Sequence, residues 1–380
     1  MLCASSFAQE DTAGYWLDKG NESFEKAMNA TNSSTIEQAL GDALQAYDGA
    51  VKIDPENATL LNLKGNALYQ LALFNKDPEK YNESLETYEK AIQINPEFAL
   101  AWMDKGTVLA RLGRYNESIA AYDRAIEMDQ NSSKAWLMKS EALFDLGKYD
   151  DALDSVNRSI ELNPRNDDAL YMKAGYYGET GRMKEALEAF NETLEINPNR
   201  TDAWFWKADF LATMGNYEEA LKAYDRSIEI DPESKDAARA WESKSHVLKA
   251  MGREDESGRA FARAVELYGR IVEQNPNDAS AWYGKGMVLS LQGKYDEAIE
   301  ALNRSIELAP KFINAWYGRG VALNETGRYE EAIQSFDEYI EVNPENPAVW
   351  NNKGEALQAL GRSSEAEVAF ARARELGYQG

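Results

Sequence analysis

The chain has 380 residues, of which 44% are hydrophobic, and carries a formal net charge of −24. The charge and the absence of a basic cluster argue against nucleic acid or anionic membrane as a partner, and no apolar run is long enough for a membrane span. With one cysteine, Cys3, and one histidine, His246, the sequence predicts no disulfide framework, no metal site and no cofactor.

Residues 1–12 read as an N-terminal tail. Within it, Ser6-Phe7-Ala8 precedes Gln9 and fits the small-x-small pattern of a signal-peptide cleavage site. The tail is therefore either the remnant of a signal peptide or an ordinary flexible terminus. Cleavage there would remove Cys3.

From residue 13 onward the chain repeats itself, mostly every 34 residues. The stretch AWMDKGTVLARLGRYNESIAAYDRAIEMD, residues 101–129, returns in related form along the chain. Extra residues occur around 28–35, around 73–79, before Trp241 and after Ala264, where seven residues amount to about two helical turns. Ten repeats can be aligned on one anchor position, which holds Trp16, Leu61, Trp102, Trp136, Leu170, Trp204, Trp241, Trp282, Trp316 and Trp350.

Each repeat reads as two amphipathic helices joined by a short turn. A small residue such as Gly106 follows the anchor by four positions, and an aromatic residue of the second helix, such as Tyr122, is expected to fill the space beside it. Gly147-Lys148-Tyr149 exemplifies the turn that ends the first helix, and in eight of the ten repeats a proline stops the second.

These residues resemble the tetratricopeptide repeat family over residues 13–380, as an array of prokaryotic type. The resemblance implies an all-α, right-handed superhelical solenoid of ten helix-turn-helix repeats, with first helices lining a concave groove and second helices on the convex face. One departure is a Lys or Arg directly before the small residue, where the family has Leu. We expect its charge to pair with a nearby acid.

No phosphate-binding loop and no nucleophile paired with a base is visible, so the sequence predicts a protein that is not an enzyme. The Lys and Asn clamp with which chaperone adaptors of the family hold a carboxylate is also missing. The groove candidates are instead Tyr171, Phe205, Tyr283 and Tyr317, an aromatic strip that could hold a peptide or be ordinary amphipathic surface.

Asn-x-Ser/Thr, the acceptor for N-linked glycans, occurs twelve times, whereas chance pairing predicts roughly two or three. Helix capping by Asn and tight packing by Ser could produce the pattern without sugar. At two positions of the second helix, however, every Asn is followed two residues later by Ser or Thr, which favours glycans. The acceptors are Asn21, Asn29, Asn32, Asn57, Asn82, Asn116, Asn131, Asn157, Asn191, Asn199, Asn303 and Asn324.

The last repeat ends with the chain, without an extra polar helix, and the first begins almost at once. Since terminal repeats otherwise expose a stacking face, this predicts head-to-tail self-association into a filament. Its interface candidates are Tyr15, Trp16, Phe24, Phe370, Leu376 and Tyr378. The sequence thus predicts a non-catalytic, secreted or cell-surface scaffold glycoprotein. The alternative is a monomeric, cytoplasmic adaptor that binds a peptide or protein in its groove.

Overall fold

A computed structural model describes residues 12–378 of the chain. Within that range there are twenty α-helices and no β-strand, which confirms the all-α repeat prediction. The chain forms two compact bodies, Met1–Ile196 and Asn197–Gly380, here called the N-terminal half and the C-terminal half. The predicted cleavage site and Cys3 lie outside the described residues. Thr12 caps the first helix, its Oγ1 accepting a hydrogen bond from the Tyr15 amide at 3.2 Å.

The N-terminal half contains five helical hairpins, each made of an odd-numbered first helix and an even-numbered second helix. Their bounds are α1 Ala13–Asn29, α2 Ser33–Ile53, α3 Ala58–Asn75, α4 Pro78–Ile94, α5 Ala99–Arg111, α6 Tyr115–Met128, α7 Ser133–Asp145, α8 Tyr149–Leu162, α9 Asp167–Glu179 and α10 Met183–Ile196.

The C-terminal half contains five more hairpins in the same order. Their bounds are α11 Thr201–Thr213, α12 Tyr217–Ile230, α13 Lys235–Ala250, α14 Glu254–Gln274, α15 Ala279–Leu291, α16 Tyr295–Leu308, α17 Ile313–Glu325, α18 Tyr329–Val342, α19 Pro347–Ala359 and α20 Ser363–Glu375.

The extra residues of the irregular repeats lengthen helices and leave the connecting loops short. In the seventh repeat α14 has 21 residues where most second helices have 14, so the seven inserted residues add about two turns. The first helix of that repeat, α13, also has 16 residues where its neighbours have 13. Both changes fall in one hairpin, which therefore differs most from its neighbours.

Close helix contacts form where the sequence placed a small residue opposite an aromatic ring. A Cβ atom added to Gly106 would lie 2.7 Å from the Tyr122 ring, and one added to Gly354 would lie 2.6 Å from the Phe370 ring. Glycine is required at these positions because the ring occupies the place of a side chain. Tyr122 itself is only 2% exposed.

In four repeats the cation before the small residue has two partners, an acid and the anchor tryptophan. Lys139 lies 2.6 Å from an Asp123 carboxylate oxygen and 5.2 Å from the centre of the Trp136 ring. The acid comes from the second helix of the preceding repeat, so the pair ties successive hairpins together. This confirms the expected charge pairing in five repeats: Lys64–Asp48, Lys105–Glu89, Lys139–Asp123, Lys244–Asp225 and Lys353–Asp337.

Candidate functional site

The irregular seventh repeat forms one side of a cleft of about 460 Å³ in the C-terminal half. Helix α13 contributes charged side chains, α14 and α15 contribute a tyrosine each, and the residue before α17 closes one end with a phenyl ring. Its principal lining residues are Arg239, Glu242, Tyr268, Tyr283, Met287 and Phe312.

Tyr268 owes its place in the cleft to the two extra turns of α14. It is 2% exposed and packs against Gly284 of α15, where any Cβ atom would overlap the tyrosine ring. Its hydroxyl donates a hydrogen bond to Glu242 Oε2 at 3.3 Å. Burial and the nearby Glu242 charge raise the pKa of Tyr268 well above its usual value, so the hydroxyl keeps its proton and remains a donor.

Glu242 is the unusual group of the cleft. Burial raises the pKa of its carboxyl to about 7, although the Tyr268 hydrogen bond and the positive charge of Arg239 both act to lower it. Desolvation therefore outweighs the stabilising contacts that the fold provides. Among the described residues, its side chain has one hydrogen-bond partner, Tyr268, and lies in no salt bridge. A ligand that donated a hydrogen bond to this carboxylate would stabilise its ionised form against the cost of burial.

The cations of the cleft already have partners. Lys235 Nζ lies 3.1 Å from Asp278 Oδ2 and donates to Ser280 Oγ at 2.7 Å. The Arg239 guanidinium lies 4.3 Å from the centre of the Phe205 ring and 3.6 Å from an Asp236 oxygen. Neither cation forms a salt bridge with Glu242.

An apolar wall faces these charges. The Tyr283 and Phe312 rings meet edge to face with their centres 4.9 Å apart, and Met287 extends the surface. Methionine is flexible and adapts its shape to different neighbouring side chains, so this part of the wall can adjust to an apolar group placed against it.

The four aromatic groove candidates do not share one environment. Phe205 is 4% exposed and lies beneath Arg239, so it offers almost no surface to a ligand. Tyr283 lines the cleft, and the Tyr317 hydroxyl accepts a hydrogen bond from Asn352 Nδ2 at 3.1 Å. Tyr171, in the N-terminal half, packs its ring against Phe190 with centres 5.9 Å apart. Of the four, Tyr283 belongs to the cleft.

Sequence reasoning missed Arg239 and Tyr268 as site residues. The available signals were the seven residues inserted after Ala264 and the extra residues before Trp241, both in one repeat. Glu242 could also have been noticed, because it occupies the position that holds Met, Leu, Tyr or Phe in the neighbouring repeats.

The glycan-acceptor asparagines fall into groups with different structural roles. Asn32 and Asn57 cap helices: their Oδ1 atoms accept from the Thr35 amide at 2.8 Å and from the Thr59 amide at 3.1 Å. Asn21 Oδ1 accepts from the Tyr47 hydroxyl. Asn324 Nδ2 donates to the Asn352 carbonyl oxygen at 3.1 Å. These four asparagines have a use in the fold without sugar.

The remaining acceptors have no capping role. Asn82 is the fifth residue of α4, whose cap is Asp77, and Asn116 lies inside α6, whose N-terminus has no side-chain cap. Asn157, Asn191 and Asn303 lie in the middle of second helices. Asn29 is the last residue of α1, and Asn131 and Asn199 are exposed in the turns between repeats.

The residues predicted to stack one molecule on another are partly buried within their own repeats. The Trp16 ring covers Gly49, the Tyr15 ring meets it edge to face at 5.5 Å, and Phe24 packs beside Leu40. Phe370 covers Gly354 near the other end. Leu376 is the C-cap residue of α20, and Tyr378 follows it with partial exposure.

Two further properties concern residues 12–378 only. No helix there combines the length and the apolar character that crossing a membrane requires. No cluster of three or more His, Cys, Asp or Glu side chains suited to a metal ion is present in that range.

Comparison with known proteins gives one family. Models described as tetratricopeptide repeat match residues 77–133, 137–201 and 292–341, residues 179–244 and residues 236–311, and one described as TPR repeat matches residues 322–361. No curated protein matches the sequence.

Solved structures with the same kind of fold include yeast Tom70, 13% identical over 97% of this chain and 92% of that one, with a TM-score of 0.48. A tetratricopeptide repeat protein from Parabacteroides merdae is 19% identical over 65% of this chain and 94% of its own, with a TM-score of 0.47. YrrB, described as a TPR protein with an unusual peptide-binding site, is 25% identical over 52% of this chain and 98% of its own, with a TM-score of 0.41.

The matched segments together run through residues 77–133 and 137–361, and the helical hairpins continue on both sides of them. The chain belongs to the tetratricopeptide repeat family.

Proposed function

We propose that this protein is a non-catalytic scaffold that binds a segment of a partner protein in the cleft of its C-terminal half. The observation that carries the proposal is Glu242, a partly buried carboxylate with one hydroxyl partner beside the apolar wall of Tyr283, Met287 and Phe312. Since a repeat fold hosts many functions, the proposal rests on this site.

The chemistry of the cleft indicates which segment fits. A Lys or Arg of the partner would donate to Glu242, and an adjacent aromatic or aliphatic side chain would lie on the apolar wall. The net charge of −24 also favours a basic partner, because it speeds the approach of positive charge.

Selection from a random peptide library on the full chain tests the proposal. We expect the enriched peptides to place Lys or Arg next to an apolar residue. Their affinity for Glu242→Gln should be about tenfold weaker than for the parent protein, because breaking a buried charged pair usually costs at least this much. Glu300→Gln is the matched control, because Glu300 is exposed and its replacement removes the same charge. Enriched peptides that bind Glu242→Gln as well as the parent protein would refute the assignment of the cleft.

The proposal includes two predictions from the sequence, one on the location of the protein and one on its self-association. We place the scaffold outside the cell or on its surface, with support from the acceptor asparagines discussed below. Association of copies end to end, through Tyr15, Trp16 and Phe24 on one side and Phe370, Leu376 and Tyr378 on the other, stays a prediction. Electron microscopy of the concentrated protein would test it, and a uniform population of single copies would contradict it.

A further inference from the structure

One position of the second helix carries the acid that pairs with the next repeat's Lys. This position, here called the acid slot, lies 21 residues after the anchor in a regular repeat. Asp123 occupies it and pairs with Lys139 at 2.6 Å. The acids in the other acid slots also form a salt bridge with the Lys of the next repeat; they are Asp48, Glu89, Asp225 and Asp337.

Asparagine replaces the acid at three slots: Asn157, Asn191 and Asn303. In the repeat after Asn303, Arg319 forms no salt bridge with any described residue. Its guanidinium donates to Ser335 Oγ at 3.2 Å and lies 5.7 Å from the centre of the Trp316 ring, while its buried Nε atom has no hydrogen-bond partner. In the repeat after Asn157, Lys173 has only the Tyr177 ring, at 5.8 Å, as a partner among the described residues. At these two slots asparagine thus leaves the following cation without the carboxylate partner that an acid supplies elsewhere, so ion pairing within the fold does not explain the asparagine.

The residue two positions later differs in the same repeats. Ser159 and Ser305 follow Asn157 and Asn303, and their buried hydroxyls donate to main-chain carbonyls at 2.8 Å. At Asp225 the acid is present and Ser227 still makes the equivalent bond, to the Thr201 carbonyl at 3.0 Å. The serine therefore does not require asparagine at the slot. After the other acids the corresponding residues are Ala50, Ala91, Ala125 and Tyr339.

We propose that Asn157, Asn191 and Asn303 carry N-linked glycans, attached before the chain folds. In the transfer, Asn Nδ2 forms a bond to the anomeric carbon of a lipid-pyrophosphate-linked oligosaccharide. The bond from that carbon to the pyrophosphate oxygen breaks, the lipid pyrophosphate leaves, and a proton of the amide passes to a base.

The timing follows from burial. Transfer requires the hydroxyl of the Ser or Thr two residues later, and the hydroxyls of Ser159 and Ser305 are buried and already donating in the folded chain. Asn157 and Asn303 themselves are partly exposed, so an attached sugar can extend from the helix into solvent after folding. Asn82 and Asn116 share this arrangement, because Ser84 and Ser118 are buried while both asparagines are exposed.

Mass spectrometry of peptides from the protein isolated from its native source tests the modification. We expect sugar on the peptides that contain Asn157, Asn191 and Asn303. Unmodified asparagine in all three peptides would overturn the proposal, whatever the cleft binds. The experiment is therefore independent of the proposed partner.

Asp225→Asn supplies a matched gain-of-site test, because it completes an acceptor with Ser227 in the same slot. Expressed in a host that performs N-glycosylation, this variant should gain one glycan, and Asn157→Asp should lose one. Failure of Asp225→Asn to gain sugar would refute the role of the slot.

The timing has its own test with folded, unmodified protein made in bacteria, an oligosaccharyltransferase and a lipid-linked oligosaccharide. We expect transfer to Asn131 and Asn199 in the exposed turns and none to Asn157 or Asn303 until the chain is unfolded. Equal transfer to all four sites on the folded chain would refute attachment before folding.

Discussion

Replacing Glu242 by glutamine should stabilise the C-terminal half at high pH. Because burial raises the pKa of this carboxyl from 4.5 to about 7, the folded protein binds more protons than the unfolded chain between those values. The parent protein therefore loses stability as the pH rises through that window. The shift corresponds to about 3 kcal/mol at most, and partial exposure reduces this to about 1–3 kcal/mol. Glutamine keeps an acceptor for the Tyr268 hydroxyl and has no charge to bury.

The assay is urea unfolding at pH 5 and pH 8, read by hydrogen exchange of peptides from α13 and α14. A local probe is needed because repeat arrays do not always unfold as one unit. We expect the variant to match the parent at pH 5 and to be more stable at pH 8, while Glu300→Gln shows no such difference. Equal destabilisation of Glu242→Gln at both pH values would refute the idea that an uncompensated buried charge dominates the cleft.

Two further predictions concern the repeat itself. Gly106→Ala should destabilise the N-terminal half by about 1–3 kcal/mol, because the added Cβ lies 2.7 Å from the Tyr122 ring, whereas Gly175→Ala meets nothing within 4 Å and should stabilise it by about 0.5–1 kcal/mol. Urea midpoints of both variants would decide this, and equal shifts would contradict it. In unmodified protein, Asn157→Asp should raise the free energy of unfolding by about 0.2–1 kcal/mol, because the new carboxylate can pair with Lys173. High salt should remove this gain by screening the ion pair. A gain that persists in 1 M salt would exclude the ion pair as its cause.

The fold was predictable because one pattern recurs ten times with few exceptions. An anchor, a small residue four positions later and an aromatic residue in the second helix specify the contact seen between Gly106 and Tyr122. Pairing of Lys139 with an acid was also predictable from its position, since a buried stem must bring its charge to a partner. Repetition allows such local rules to be checked against each other within one sequence.

The cleft was not predictable to the same degree, because it depends on where the repeat is broken. Seven inserted residues can form a loop or extend a helix, and only the structure shows that they carry Tyr268 over Gly284 and next to Glu242. The burial of Phe205 under Arg239 was equally hidden, since α13 starts earlier than its equivalents and brings Arg239 over the ring. The repeat periodicity predicts the contacts that recur in every repeat, but it does not predict the contacts made by inserted residues.

The most direct test of the proposed partner site is the pH dependence of binding for a selected peptide that contains one basic residue. Between pH 6 and pH 8 the Glu242 carboxyl passes from mostly protonated to mostly ionised, so affinity should rise about tenfold in the parent protein. In Glu242→Gln the affinity should be weak and independent of pH across this range. Affinity that falls as the pH rises, or the same rise in Glu242→Gln, would contradict a site built around this carboxylate.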